Sequence, residues 1–255
     1  MTEQYVRLET DGEIARITLA RPERHNALVP ELLDGLLGAL KECHRFAPRT
    51  VILQAEGPSF SSGGDVGAFF ETPRSERKAF ASEVVGRLNQ VIIAMLELPS
   101  PTIAAVHGLV TGGSIGLVLA SDIVVATEKA TFTPWYTVVG FSPDGGWSTL
   151  MGQRIGPSRA LEMQLTNRSL SAEKALEYGL AHYLTQPAEI SAKVQELCQS
   201  VVNKKPESVQ RTLSMNRPDP KATAVQLQNE YEQFLEQIVT DEAHYGMASF
   251  LKRAP

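Results

Sequence analysis

The sequence predicts an α/β protein that ends in a helical region. Two observations lead there. Short β-prone runs alternate with helical periodicity up to about residue 150, which argues for packed α and β layers. Beyond that point strand signals stop and helical signals continue. Strands come first: "YVRLE" and "IARITLA" flank Asp11-Gly12, a hairpin signal. "PELLDGLLGAL" then places Leu32, Leu33, Leu36, Leu37 and Leu40 at helical spacing. "TVILQ" (50–54) reads as a strand. Val84, Leu88, Val91, Ile92 and Met95 form one helix face that ends before Pro99. "TIAAV" (102–106), "IVVA" (123–126) and "ATFT" (130–133) read as further strands.

In the last third, Ser171 precedes "AEKALEY" and Gly179 follows it, giving an N-cap, an acidic first turn and a C′ glycine. Helices are expected at 188–203, at 222–238 with Val225, Tyr231, Phe234 and Leu235 along one side, and at 241–252. Residues 1–195 are expected to form the α/β core with the ligand site, and 196–255 a helical C-terminal region. The apolar faces of that region dock on another subunit or form an internal core. No fixed period marks a sequence repeat.

The chain has 255 residues, 43% hydrophobic and 21% charged, an ordinary globular composition with ample length for a core. A formal charge of −5 and no Lys/Arg tract argue against a nucleic-acid partner. Cys43 and Cys198 show no metal spacing and read as reduced, buried thiols, which fits a cytoplasmic setting. The polar stretch "MTEQYVRLETDG" carries no leader pattern, and no apolar run approaches a membrane span, so no membrane association is expected.

Two glycine-bearing stretches and one aspartate are the candidate site. In "FSSGGD" (60–65), glycine lets the backbone approach a ligand, and Asp65 caps the helix that follows. A plain strand-to-helix turn would look the same. In "VTGGSIG" (110–116), Gly112-Gly113 opens an apolar helix, whose free N–H groups suit a developing oxyanion. Close helix packing is the simpler alternative. The spacing is not a dinucleotide fingerprint. In "FSPDGGW" (141–147), Asp144 is either a turn residue or a catalytic acid.

Together these segments resemble the crotonase superfamily, the enoyl-CoA hydratase/isomerase family. The likeness runs from "RITLARPERHNAL" through "SFSSGGDVGAF", "PTIAAVHGLVTGGSIGLVLASDI" and "ATFTPWYTVVGFSPDGGW" to "GPSRALEMQLTNRSLSAEKALEYGL". It implies a crotonase-type spiral of β-β-α turns followed by a helical trimerisation region, and hence a homotrimer or homohexamer. It also implies an acyl-CoA thioester as substrate, with coenzyme A as part of the substrate and no separate cofactor or metal. An oxyanion hole from the backbone N–H groups of Gly64 and Gly113 follows by position.

Hydratases of this family use two glutamates. At the matching positions this sequence has Gly116 and Tyr136, so a two-glutamate hydration mechanism is not expected. Single-acid members carry their carboxylate in the loop where Asp144 falls. They resemble the isomerases that move a double bond from 3-enoyl-CoA to 2-enoyl-CoA, which makes Asp144 the expected catalytic residue. "WYT" and "LTNRSLSAEKALEYGL" also resemble aryl-CoA dehalogenases, which attack with an aspartate from this region and use a histidine in the helix before the second glycine strand. Here that helix has no histidine, and Asn89 is nearest by position. A hydrolase with Asp144 as nucleophile, and an acyl-CoA-binding member without turnover, are further alternatives.

Substrate-binding candidates follow from the same resemblance. Ser62 offers its carbonyl to the adenine amino group, Arg24 meets the diphosphate, and Trp135 and Tyr136 line the acyl pocket, with Tyr136 also in reach of Asp144. Phe250, Lys252 and Arg253, on the last helix, reach the nucleotide end of coenzyme A. His25 and His107 read as structural, and Ser114 as a helix-opening residue.

Overall fold

Alternating residues of one six-stranded sheet divide the interior into two cores. The computed structural model describes residues 5–254; positions 1–4, at the start of the polar N-terminal stretch, and 255 lie outside it. Strands β1 (Val6–Asp11) and β2 (Ile14–Leu19) pair antiparallel, with Asp11 opposite Ile14. The two-residue loop is therefore Gly12-Glu13, and Asp11 closes the strand instead of sitting in the turn. Helix α1 (Pro30–Phe46) buries Leu32, Leu33, Leu36 and Leu40. Strand β3 (Thr50–Ala55), short α2 (Val66–Glu71), long α3 (Arg74–Leu96) and β4 (Thr102–Val106) follow. Next come β5 (Leu109–Thr111), α4 (Ile115–Leu119), β6 (Ile123–Thr127) and β7 (Thr131–Thr133).

The site loop lies between α5 (Tyr136–Val139) and α6 (Leu150–Ile155). Then come α7 (Pro157–Thr166), β8 (Leu170–Ser171), α8 (Ala172–Glu177) and β9 (Tyr183–Thr185). Helices α9 (Ile190–Val202), α10 (Pro206–Asn216), α11 (Pro220–Gln237) and α12 (Asp241–Leu251) complete the chain.

The large sheet runs β1-β2-β3-β4-β6-β9, parallel apart from the first hairpin; β5, β7 and β8 form a small second sheet. Strand side chains point to opposite faces in turn. Val51, Leu53, Ala104 and Val106 enter the main core with α1 and α3. Ile52, Ile103, Ala105 and Val125 face the other way and pack on Val194, Leu197 and Cys198 of α9. The expected boundary at 195 thus falls inside a helix that covers the large sheet.

Four expectations need correction. Strands do continue past residue 150, but β8 and β9 have two and three residues, too short to show a period. Helix α10 has no buried residue, so it left no apolar stripe to read. On α11 the buried face is Thr223, Leu227, Glu230, Phe234 and Leu235, whereas Val225 is 64% exposed. Finally, α3 is long and apolar enough to cross a membrane by length and composition alone. Its apolar face is the wall against which α1 and α11 pack, with Val85, Leu88, Val91 and Ile92 fully buried.

Candidate active site

Backbone bonds lock the two glycine loops side by side. Ser61 N–H donates to the Leu109 carbonyl at 3.0 Å, and Thr111 N–H to the Ser61 carbonyl at 3.1 Å. Leu28 N–H holds the Gly63 carbonyl at 2.8 Å. Thr111 and Ser114 form a capping box at the second loop, and the Ser114 hydroxyl also reaches the Ser61 carbonyl at 3.1 Å. Ser114 is therefore a tie between loops. Gly113 lies in the first turn of this helical segment, where N–H groups have no partner within the helix.

Asp144 lies against that turn. A methyl group placed on Gly113 would come 2.7 Å from Asp144 Oδ1 and 3.0 Å from Oδ2. Gly145, at φ +66°, brings its α-carbon so close that a side chain would lie 2.4 Å from the Gly113 carbonyl oxygen. The "DGG" turn is therefore glycine because it is pressed onto the second glycine loop. The Tyr136 hydroxyl donates to Asp144 Oδ1 at 2.5 Å and lies 3.0 Å from its carbonyl. Burial pushes the Asp144 carboxyl up to about 7; the Tyr136 hydrogen bond opposes this, and the nearby Glu230 charge adds to it. A carboxyl at that value exchanges protons near neutral pH.

A cavity of about 200 Å³ opens in front of Asp144, with Gly64, Gly113, Ser62, Trp135, Tyr136 and Phe250 among its walls. Val66, Phe69, Leu88, Phe141 and Phe234 make the remainder mostly apolar. Trp135 stands at the rim, 37% exposed, its ring edge-on to Phe250 with centroids 5.5 Å apart. A second cavity of about 290 Å³ shares Ser62, Gly64, Val66 and Phe250 with the first and adds Arg24, His25 and Arg253. The site is thus an apolar pocket that leads into a vestibule of mixed charge, where Glu23 and Asp65 lie beside Arg24 and Arg253. Both arginines already have partners, Arg24 with Asp65 at 3.2 Å and Arg253 with Glu71 at 2.6 Å. Arg253 lies just beyond α12, which ends at Leu251 with Lys252 in a left-handed cap. His25 and His107 hold Ser59 Oγ and the Gly57 carbonyl, each at 2.9 Å, as structural residues do.

A sequence model of the enoyl-CoA hydratase/isomerase family matches residues 9–255. The chain belongs to the enoyl-CoA hydratase/isomerase family. It is 33% identical over 193 residues to a 4-chlorobenzoyl coenzyme A dehalogenase from Arthrobacter, spanning 75% of this chain and 70% of that one. It is 28% identical over 181 residues to a trans-2-decenoyl-acyl-carrier-protein isomerase from Streptococcus mutans, spanning 71% and 69%. An enoyl-CoA hydratase from Bacillus halodurans superposes with a TM-score of 0.90 at 25% identity, covering 96% of this chain and 99% of that one. The fold is the crotonase fold.

Within that family the two departures in the sequence have physical counterparts. At Gly116 a side chain would meet Ile92 Cδ1 at 2.4 Å and the Gly145 carbonyl at 2.7 Å, so position 116 has no room for a glutamate. Tyr136 occupies the other position and spends its hydroxyl on Asp144. Asn89 is not among the lining residues of the cavity and donates to the Leu227 carbonyl of α11 at 3.1 Å. Among the described residues no group of three or more His, Cys, Asp or Glu side chains is arranged to hold a metal.

Sequence reasoning missed Glu230. Its carboxylate accepts hydrogen bonds from Gly146 N–H at 2.7 Å and Ser148 N–H at 2.8 Å, both in the Asp144 loop. The signal was present: Glu230 is three residues after Leu227 and four before Phe234, on the buried stripe of α11. An acidic residue on such a stripe is costly and calls for a reason.

Proposed function

We propose that the protein moves a double bond in acyl-CoA thioesters, converting 3-enoyl-CoA to 2-enoyl-CoA with Asp144 as a single proton shuttle. The observation that carries this reading is one carboxyl, near neutral proton affinity, pressed on Gly113 in an apolar cavity that has no second carboxylate on its described walls. In the proposed reaction Asp144 takes a proton from C2. The electron pair passes into the thioester, whose oxygen becomes an enolate facing the N–H groups of Gly64 and Gly113. Asp144 then returns the proton to C4, and the double bond lies between C2 and C3. Atoms and charge balance with no separate cofactor, coenzyme A being carried by the substrate. The nucleotide end is assigned to the vestibule, with Ser62, Arg24, Phe250 and Arg253 as its contacts, and the acyl group to the space beside Trp135 and Tyr136.

Isomerisation assays of Asp144→Asn test this reading. The amide keeps the shape and the Tyr136 hydrogen bond but cannot take a proton, so turnover should fall ~10²–10⁴-fold with acyl-CoA binding retained. Unchanged turnover would remove Asp144 from the chemistry.

Dehalogenation of an aryl-CoA, with Asp144 as nucleophile, is the second reading, favoured by the likeness to the Arthrobacter enzyme. Against it stand the absence of a histidine on the described cavity wall and the engagement of Asn89 with the Leu227 carbonyl of α11. A covalent aryl ester trapped on Asp144 would establish it. We also propose a cytoplasmic homotrimer or homohexamer. Supporting it are exposed apolar side chains such as Leu165, Met215 and Val225, at 67%, 82% and 64% exposure, and two free buried cysteines. A stable monomer in sedimentation at micromolar concentration would refute the assembly.

A further inference from the structure

The buried glutamate of α11 is tied to the catalytic loop by more bonds than packing requires. Glu230 is 5% exposed. Its Oε2 accepts from Gly146 N–H at 2.7 Å, and its Oε1 from Ser148 N–H at 2.8 Å and the Ser148 hydroxyl at 2.5 Å. One turn earlier on the helix, Gln226 hydrogen-bonds the Thr149 hydroxyl. Two residues of one helix thus hold the stretch 146–149 that directly follows Asp144. No ion pair involves Glu230 among the described residues. A buried carboxylate without a cation is expensive, and breaking its hydrogen bonds strands the donors as well. Glutamine is not an equivalent: it would turn an NH₂ group toward one of the two backbone N–H donors. The position therefore uses both oxygens and accepts a negative charge behind the aspartate.

We propose that Glu230 is a positioning residue for proton transfer: it clamps the Asp144 loop from α11 and opposes Asp144 with a second negative charge. This rests on Asp144 as the proton shuttle. Tyr136 acts on Asp144 through the hydrogen bond of a neutral hydroxyl, and Glu230 acts on it through charge. On α3, which packs against α11, Arg87 is engaged by Asp34 and Glu83, and Asn89 is neutral. Tyr231, next to Glu230 on α11, is bonded to Ser82 at 2.6 Å. No cation in this set offsets Glu230; burial pushes its own carboxyl up while the Ser148 and Gly146 hydrogen bonds hold it down, and in its ionised form it favours the protonated form of Asp144.

The experiment compares kcat and KM against pH for wild type, Glu230→Gln and Glu230→Asp with a 3-enoyl-CoA. The carboxyl of Asp144 is titrated in parallel by carbon-13 NMR on the ligand-free proteins. Wild type should lose activity as pH falls through about 7. In Glu230→Gln that acid limb and the Asp144 titration should both move down by about one pH unit, and kcat should fall about 10²-fold from the displaced loop, with KM little changed. Glu230→Asp keeps the charge but shortens the clamp, so its limb should stay near wild type while kcat drops. An unmoved limb and titration in Glu230→Gln would overturn the proposal. Should that variant not fold, wild-type kcat in Glu230→Asp would overturn it instead. The NMR titration does not depend on which reaction is catalysed, so full activity in Asp144→Asn would sink the shuttle reading without deciding the charge effect.

Discussion

Two aspartates, each beside a pair of glycines and each 7% exposed, have been given opposite electrostatic surroundings. Burial pushes both carboxyls up. At Asp65 the Ala68 N–H and the Arg24 and Arg21 guanidiniums more than offset it, and the group falls below its ordinary value. At Asp144 burial is opposed by the Tyr136 hydroxyl and a backbone hydrogen bond but by no cation, while Glu230 adds to it, and the group rises to about 7. Asp65 is therefore a fixed anion that caps α2 and anchors two arginines. Asp144 has the proton affinity that the proposed shuttle requires. Surface exposure does not separate them; Asp144 is the more deeply enclosed of the two, and its neighbours include no cation to offset that burial.

The widest separation should appear in turnover. Asp144→Asn is expected to lose ~10²–10⁴-fold in kcat. Asp65→Asn keeps an acceptor for the Ala68 N–H and should lose less than about tenfold, mostly in KM, since Arg24 faces the vestibule. Equal kcat losses in the two variants would erase the distinction. Crotonyl-CoA hydration should remain below ~10 s⁻¹, a typical turnover for enzymes, because no carboxylate pair is placed to activate water.

Next in size is the effect on stability against pH, where the signs should be opposite. The folded-state value of Asp144 lies above its unfolded value of about 3.8, so the native state binds the extra proton. Stability is then lost as pH rises from about 3.8 to about 7. Asp144→Asn carries no such loss. Its melting temperature should match wild type near pH 4 and exceed it by several degrees at pH 8, a difference of up to ~4 kcal/mol at ~1.4 kcal/mol per unit. Calorimetry across this range measures it, and a variant less stable than wild type at pH 8 would count against a strained, buried carboxylate.

Much of this contrast was legible in the residues. The strand-to-helix transition at 60–70 and the cap at Asp65 came from local chemistry, as did the alternation of β3, β4 and β6 with helices. The site residues came from family motifs, and the cavity collects Asp144, Gly64, Gly113, Ser62, Trp135, Tyr136 and Phe250. What stayed hidden depends on contacts distant in sequence. Glu230 meets the Asp144 loop across 84 positions, and nothing in "QNEYEQF" announces it beyond a misplaced charge on a buried stripe. Phe69, Phe141 and Phe234 converge from three separate elements, with centroids 5.3–5.9 Å apart. Strands of two or three residues such as β8 and β9 hold their conformation only because a neighbouring strand is already there.

Restoring a hydratase-like carboxylate should fail for steric reasons. Gly116→Glu forces a side chain onto Ile92 and the Gly145 carbonyl, which cannot both yield. Overpacking of this kind typically costs 1–3 kcal/mol, with roughly that loss expected on denaturation. A Gly116→Glu protein of wild-type stability that hydrates crotonyl-CoA efficiently would show that the glutamate at position 116 is missing by sequence alone and not by shape.

The smallest effect belongs to the charge of Asp65. Asp65→Asn retains the cap but removes the anion facing Arg21, 13% exposed, and Arg24, 53% exposed. Solvent weakens the Arg24 pair, so most of the loss comes from Arg21, and the total should be about 1 kcal/mol. The sign is that of a depressed carboxyl. Its stabilisation is complete above the unfolded value of 3.8 and is lost as pH falls through the lower folded value. Melting curves of wild type and Asp65→Asn should therefore differ at pH 7 and converge on acidification below about pH 4. That is the reverse of the Asp144→Asn pattern, in which the variant gains on wild type as the solution becomes more alkaline. Convergence at pH 7 and divergence in acid for Asp65→Asn would mean that its arginines do not hold it ionised, and the two aspartates would then differ in position but not in kind.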